Sequence, residues 1–136
     1  MLFKVLSIDE NPGATELLGL LLRSYGLEVI AANDSEIGLE LARNEKPDII
    51  TLDLMMPNIN GWKLCKAIRS FSNVPIIILS ALDDPASIAR GLDAGADDYL
   101  IKPVPGNILI ARINKFTRNA HMKDDNSISR HLNRND

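Results

Sequence analysis

The sequence predicts an α/β domain in which a parallel sheet is wrapped by helices on both faces. Three observations carry this. Five strand signals alternate with five helix signals, at about one pair per 25 residues, the rhythm of strands joined by right-handed helical crossovers. The strand signals are short apolar runs rich in β-branched residues, as in strands covered on both faces. Four of the runs end in polar or charged residues, which a parallel sheet gathers on one edge.

Lys4–Ile8 reads as the first strand, ending at the acidic pair Asp9-Glu10. Pro12 suits the first turn of a helix whose Ala14, Leu17, Leu18, Leu21 and Tyr25 fall at helical spacing, with Gly26 placed to end it. Leu27–Ala32 is the second strand. Asn33 is the expected N-cap of a short helix through Ile37, Leu41 and Ala42, with Glu36 completing a capping box. Asp48–Leu52 is the central strand, ended by Asp53. The segment from Pro57 to Gly61 breaks it before a helix that starts near Trp62 and carries Leu64, Cys65 and Ile68. Pro75–Leu79 is the fourth strand, ending at Ser80. Asp83-Asp84-Pro85 opens a helix through Ile88 and Leu92 to Gly95. Tyr99–Ile101 is the fifth strand, ending at Lys102-Pro103, and a last helix carries Ile108, Leu109, Ala111, Ile113 and Phe116.

The 136 residues suffice for one domain with its own core. From Asn119 onward the chain turns polar and aperiodic, so residues 1–118 are expected to form the domain and 119–136 a disordered tail or linker. A net charge of −3 gives no general pull toward nucleic acid or anionic membrane. The single cysteine, Cys65, excludes an intrachain disulfide and a cysteine metal cluster. No apolar run spans a bilayer, and the N-terminus does not read as a signal peptide, so the expected location is the cytoplasm.

Asp53 alone, at a strand end, could be a nucleophile, a metal ligand or simply the cap of the next turn. Its neighbours narrow the choice. Asp9-Glu10, Asp53, Ser80 and Lys102 end four different strands and converge on one crevice. Clustered carboxylates repel unless a cation neutralises them, and hard oxygen donors without His or Cys favour Mg²⁺.

With Asp53-Leu-Met-Met-Pro57, Gly61, Ser80-Ala81, Gly95-Ala-Asp-Asp-Tyr99 and Lys102-Pro103 added to the acid pair, residues 2–118 resemble the receiver domain of bacterial two-component response regulators. The resemblance implies a doubly wound, flavodoxin-like five-stranded sheet in the order 2-1-3-4-5. It implies that Asp53 accepts a phosphoryl group from a sensor histidine kinase. Asp9, Glu10, Asp53 and the Met55 backbone carbonyl would hold Mg²⁺. Lys102 and Ser80 would contact phosphoryl oxygens, and small Ala81 would leave the acyl phosphate accessible. Tyr99 would be the switch aromatic, turning as Ser80 is drawn inward, and the Lys102-Pro103 peptide is expected to be cis. No enzymatic turnover is implied beyond Mg-dependent self-phosphorylation and autodephosphorylation.

Gly91–Leu100 and Leu109–Ile113 are most similar to the receivers of winged-helix transcription factors, which dimerise through helix 4, strand 5 and helix 5 with charged pairs. Asp98 and Arg112 match one pair. Asp97 matches half of another, whose partner would fall near Asn119, and Ile88 and Ile108 stand where a third pair is expected. Any homodimer through this face is therefore expected to be weaker or apolar. Asp9-Glu10-Asn-Pro is the electrostatic opposite of a flavin-phosphate loop. Met55 stands where a haloacid-dehalogenase-type phosphatase needs its second aspartate. A stand-alone phosphorelay or interaction receiver is the alternative, because no DNA-reading motif follows residue 118.

Overall fold

Lys4–Ile8 (β1), Glu28–Ala32 (β2), Ile49–Asp53 (β3), Ile76–Ser80 (β4) and Asp98–Ile101 (β5) form one parallel sheet in the computed structural model, which describes residues 3–55 and 60–117. The strand order is β2-β1-β3-β4-β5, as expected. Between the strands run α1 (Pro12–Ser24), α2 (Ser35–Asn44), α3 (Gly61–Arg69) and α4 (Pro85–Asp93), and α5 (106–117) follows β5. Pro57 and the expected tail from residue 119 lie outside the described residues.

Side chains alternate across the sheet, so each strand supplies two cores. Val5, Ile49, Ile77 and Leu79 pack with Leu22 of α1 and with Leu109 and Ile113 of α5. Leu6, Ile50, Leu52, Ile76 and Ile78 pack on the other face with Leu64, Cys65 and Ile68 of α3. Complete burial of one such isoleucine contributes roughly 1.5–3 kcal/mol. Cys65 belongs to this packing, and burial pushes its thiol pKa up, away from reactivity.

Two local expectations change. Asn33 does not cap α2. Asp34 does, accepting from the Ile37 N–H at 2.7 Å, so Glu36 is not in capping-box position. The apolar stripe expected of α1 is also only in part the face that is buried. Thr15, Gly19 and Leu22 meet the sheet, whereas Leu17 is 70% and Tyr25 58% exposed. Leu18 is half-buried against the α1–α5 core. The expected helix ends hold: Gly26 has φ +83° after α1, and Pro12 follows the N-cap Asn11.

Candidate functional site

Parallel register brings the strand ends together. Ile8 lies beside Leu52, Asp53 beside Leu79 and Ser80 beside Ile101, so Asp9, Asp53, Ser80 and Lys102 surround one crevice. Gly61 lets α3 start hard against this edge. A Cβ there would lie 2.6 Å from the Leu54 Cα and 2.8 Å from the Asp53 carbonyl oxygen, so even alanine would displace the backbone that carries Asp53.

The Lys102 ammonium lies between two carboxylates, 3.1 Å from Asp9 Oδ2 and 3.2 Å from Asp53 Oδ2. Asp53 is only 8% exposed. Its other oxygen accepts from the Met55 N–H at 3.1 Å. Asp9 is fixed similarly: Oδ1 accepts from the Asn11 N–H, its N–H donates to the Ala32 carbonyl, and its carbonyl accepts from Asn33 Nδ2 at 2.8 Å. Burial works against the charge on Lys102. The hydrogen bond it donates to Asp9 and the charges of Asp53 and Asp9 outweigh it, holding the ammonium pKa above the ordinary lysine value. The Lys102-Pro103 peptide is cis, as expected.

Ser80 is fully buried, and its hydroxyl oxygen accepts from the Leu82 N–H at 3.1 Å, leaving the hydroxyl hydrogen free to donate. The Tyr99 hydroxyl donates to the Leu82 carbonyl at 2.7 Å. One residue of the β4–α4 loop is thus held by both switch candidates. Ala81 beside it is exposed.

Glu10 is exposed, and the described residues contain no ready group of three His, Cys, Asp or Glu side chains around a metal-sized space. Two carboxylates of hard oxygens nevertheless fit Mg²⁺, which keeps several waters and commonly binds through one or two carboxylates. Asp9 and Asp53 would hold it directly, with the Met55 backbone carbonyl two residues on and the exposed Glu10 next to Asp9 in the chain.

The candidate interface residues divide. Asp97 is exposed but paired within the chain, accepting from Arg69 Nη2 at 2.6 Å and from the Ile76 N–H at 2.9 Å, while the same guanidinium donates to the Gly95 and Val74 carbonyls. Asp98 pairs with Arg112 of its own chain at 2.7 Å. Ile88 is half-buried and Ile108 is 41% exposed. Three features have no signal in the sequence: Asn33 holding the Asp9 carbonyl, Leu82 joining Ser80 to Tyr99, and an apolar groove beside the crevice. That groove, of ≈910 Å³, runs between α1 and α5 along Leu17, Leu20, Leu21, Val104 and Leu109, and reaches Asp9 and Lys102.

The family model described as the response regulator receiver domain matches residues 5–114. The chain is 39% identical over 125 residues to the transcriptional regulatory protein AfsQ1 of Streptomyces coelicolor, covering 92% of this chain and 56% of that protein. It is 37% identical over 110 residues to the DNA-binding response regulator MtrA of Mycolicibacterium smegmatis, covering 81% and 48% respectively. The chain therefore spans about half the length of these curated relatives. Among solved structures it is similar to a two-component response regulator from Clostridium difficile, with a TM-score of 0.83 and 32% identity over 85% of this chain and 96% of that one. It is also similar to the receiver domain of the Francisella response regulator 1452, with a TM-score of 0.82 and 35% identity over 86% and 98%.

Proposed function

We propose, from the premise that this chain belongs to the response regulator receiver domain family, that Asp53 is the residue that takes up the phosphoryl group in its two-component system. The observation that carries the reading is the Lys102 ammonium shared by the Asp9 and Asp53 carboxylates at one strand edge. An Asp53 oxygen attacks the phosphorus of a phosphohistidine. A P–O bond forms as the P–N bond breaks, and the imidazole leaves as its nitrogen takes a proton. Lys102 then exchanges a carboxylate oxygen for a phosphoryl oxygen, and the Ser80 hydroxyl donates to another. Mg²⁺, when bound, supplies positive charge against the incoming phosphoryl oxygens. Asp9 holds its orientation through Asn11 and Asn33. Ala81 is small enough to let water reach the acyl phosphate, so the chain reverses the signal by hydrolysis at phosphorus.

A change at Ser80 passes to Leu82 and so to Tyr99, because the two side chains hold opposite sides of that residue. The face of α4, β5 and α5 around Ile88, Asp98, Ile108 and Arg112 changes in response. Of these groups, Asp98 and Arg112 are already paired within the chain, as Asp97 is with Arg69, which favours apolar contact over charged pairs in any homodimer. The phosphodonor is a sensor histidine kinase. Its histidine-bearing helix lies in the α1–α5 groove, whose apolar walls end at Asp9 and Lys102. Residues 1–118 are the working domain. The DNA-binding and transcriptional roles in the relatives' names would belong to parts of those proteins that this chain does not span.

The test is labelling by a small phosphodonor with Mg²⁺. The native chain gains one phosphoryl group and Asp53→Asn gains none; full labelling of Asp53→Asn would remove the assignment.

A further inference from the structure

We propose that the groove between α3 and α4 binds small molecules carrying clustered phosphate groups. The cavity, of ≈450 Å³, is lined by Trp62, Lys63 and Lys66 of α3 and by Ala89, Arg90 and Asp93 of α4, and shares no residue with the Asp53 crevice. On a chain of net charge −3, three cations and one carboxylate line this groove. None of the three cations has a carboxylate within ion-pair distance among the described residues, a state they share with Arg23, Arg43, Lys46 and Lys115.

The arrangement is partly built in advance. The Arg90 guanidinium stacks on the Trp62 ring, 4.1 Å from its centroid, which positions its planar donor fork beside the gap while leaving its N–H groups without a carboxylate. Lys63 and Lys66, three residues apart, lie on the same side of α3. The buried Trp62 Nε1 also has no hydrogen-bond acceptor among the described residues, an uncommon state for a buried donor.

A single carboxylate would satisfy one of these cations. Cations spread over two helices match a ligand with two or more anionic groups. Phosphate oxygens suit both the arginine fork and the lysine point charges. The volume falls within the range of roughly 300–1,000 Å³ usual for small-ligand sites. A free phosphate chain and a nucleotide's phosphates offer the same chemistry.

Trp62 is the chain's only tryptophan, so its fluorescence reads the site directly. The full chain is titrated with tripolyphosphate and with ATP, in EDTA and at low salt, with calorimetry alongside. The expected result is saturable binding that shifts Trp62 emission, weakens at least tenfold in Lys66→Glu and in Arg90→Ala, and tightens in Asp93→Asn. Equal affinity for both ligands assigns recognition to the phosphate chain, and tighter binding of ATP assigns part of it to the nucleoside. Circular dichroism of each variant confirms that it is folded. Absence of saturable binding by either ligand would overturn the proposal. So would binding that persists in folded Lys66→Glu and Arg90→Ala but disappears in Lys102→Ala, because the anion would then sit in the Asp53 crevice.

Discussion

Replacing Lys102 by alanine tests how the crevice is held together without a metal. The ammonium contacts Asp9 at 3.1 Å and Asp53 at 3.2 Å, and its removal leaves two largely buried carboxylates facing each other. Breaking one partner of a fully buried pair costs about 3–5 kcal/mol. The Lys102 side chain is 34% exposed and its carboxylate partners 14% and 10%, so water screens part of that. The expected loss in EDTA is therefore about 1–3 kcal/mol, read as a lowered urea midpoint at unchanged slope. Saturating Mg²⁺ should recover much of it, because a cation that enters the same carboxylates stabilises the folded state by linkage. Mg²⁺ should also bind Lys102→Ala more tightly than the native chain, since it no longer shares the carboxylates with an ammonium. An unchanged midpoint in EDTA together with unchanged Mg²⁺ affinity would refute the claim that Lys102 neutralises this pair.

The raised pKa of Lys102 fixes the sign of a pH effect: its contribution is fully present below the unfolded value of 10.5 and is lost as pH rises through the higher folded value. Urea midpoints taken from neutral pH to about 11.5 should thus fall more steeply in the alkaline range for the native chain than for Lys102→Met, and parallel curves would contradict the pairing. Asp34→Ala should destabilise by about 1 kcal/mol through loss of the α2 N-cap. Asn33→Ala should instead slow phosphorylation at near-native stability, and the reverse pattern in melts and labelling rates would restore Asn33 as the cap. In sedimentation with a beryllofluoride phosphoryl mimic, Ile108→Glu should abolish any activated dimer. A tight dimer indifferent to Ile108→Glu but lost in Asp98→Ala would show that charged pairs carry the contact.

The strands and their polar ends were legible because both are local signals. Apolar runs such as Ile76–Leu79 mark buried strands, and a parallel sheet puts every strand's last residue on one edge whatever its helices do. Burial of a helix face was not. Leu17 and Leu21 share the spacing of a core stripe, but α1 meets the sheet through Thr15, Gly19 and Leu22 and turns Leu17, Leu20 and Leu21 toward the gap beside α5. Neither the Asn33–Asp34 choice nor the Arg69–Asp97 pair could be read from spacing. The first depends on where the chain leaves β2. The second joins residues 28 apart in sequence through the α3, β4 and β5 ends.

Asp53, and no other carboxylate of the crevice, is expected to carry the phosphoryl group. Borohydride reduction of the phosphorylated chain converts an aspartyl phosphate to homoserine, which peptide mass spectrometry locates by residue. Homoserine is expected at position 53, dependent on Mg²⁺ during labelling and absent from Asp53→Asn. Homoserine at position 9, or label that resists borohydride altogether, would contradict it.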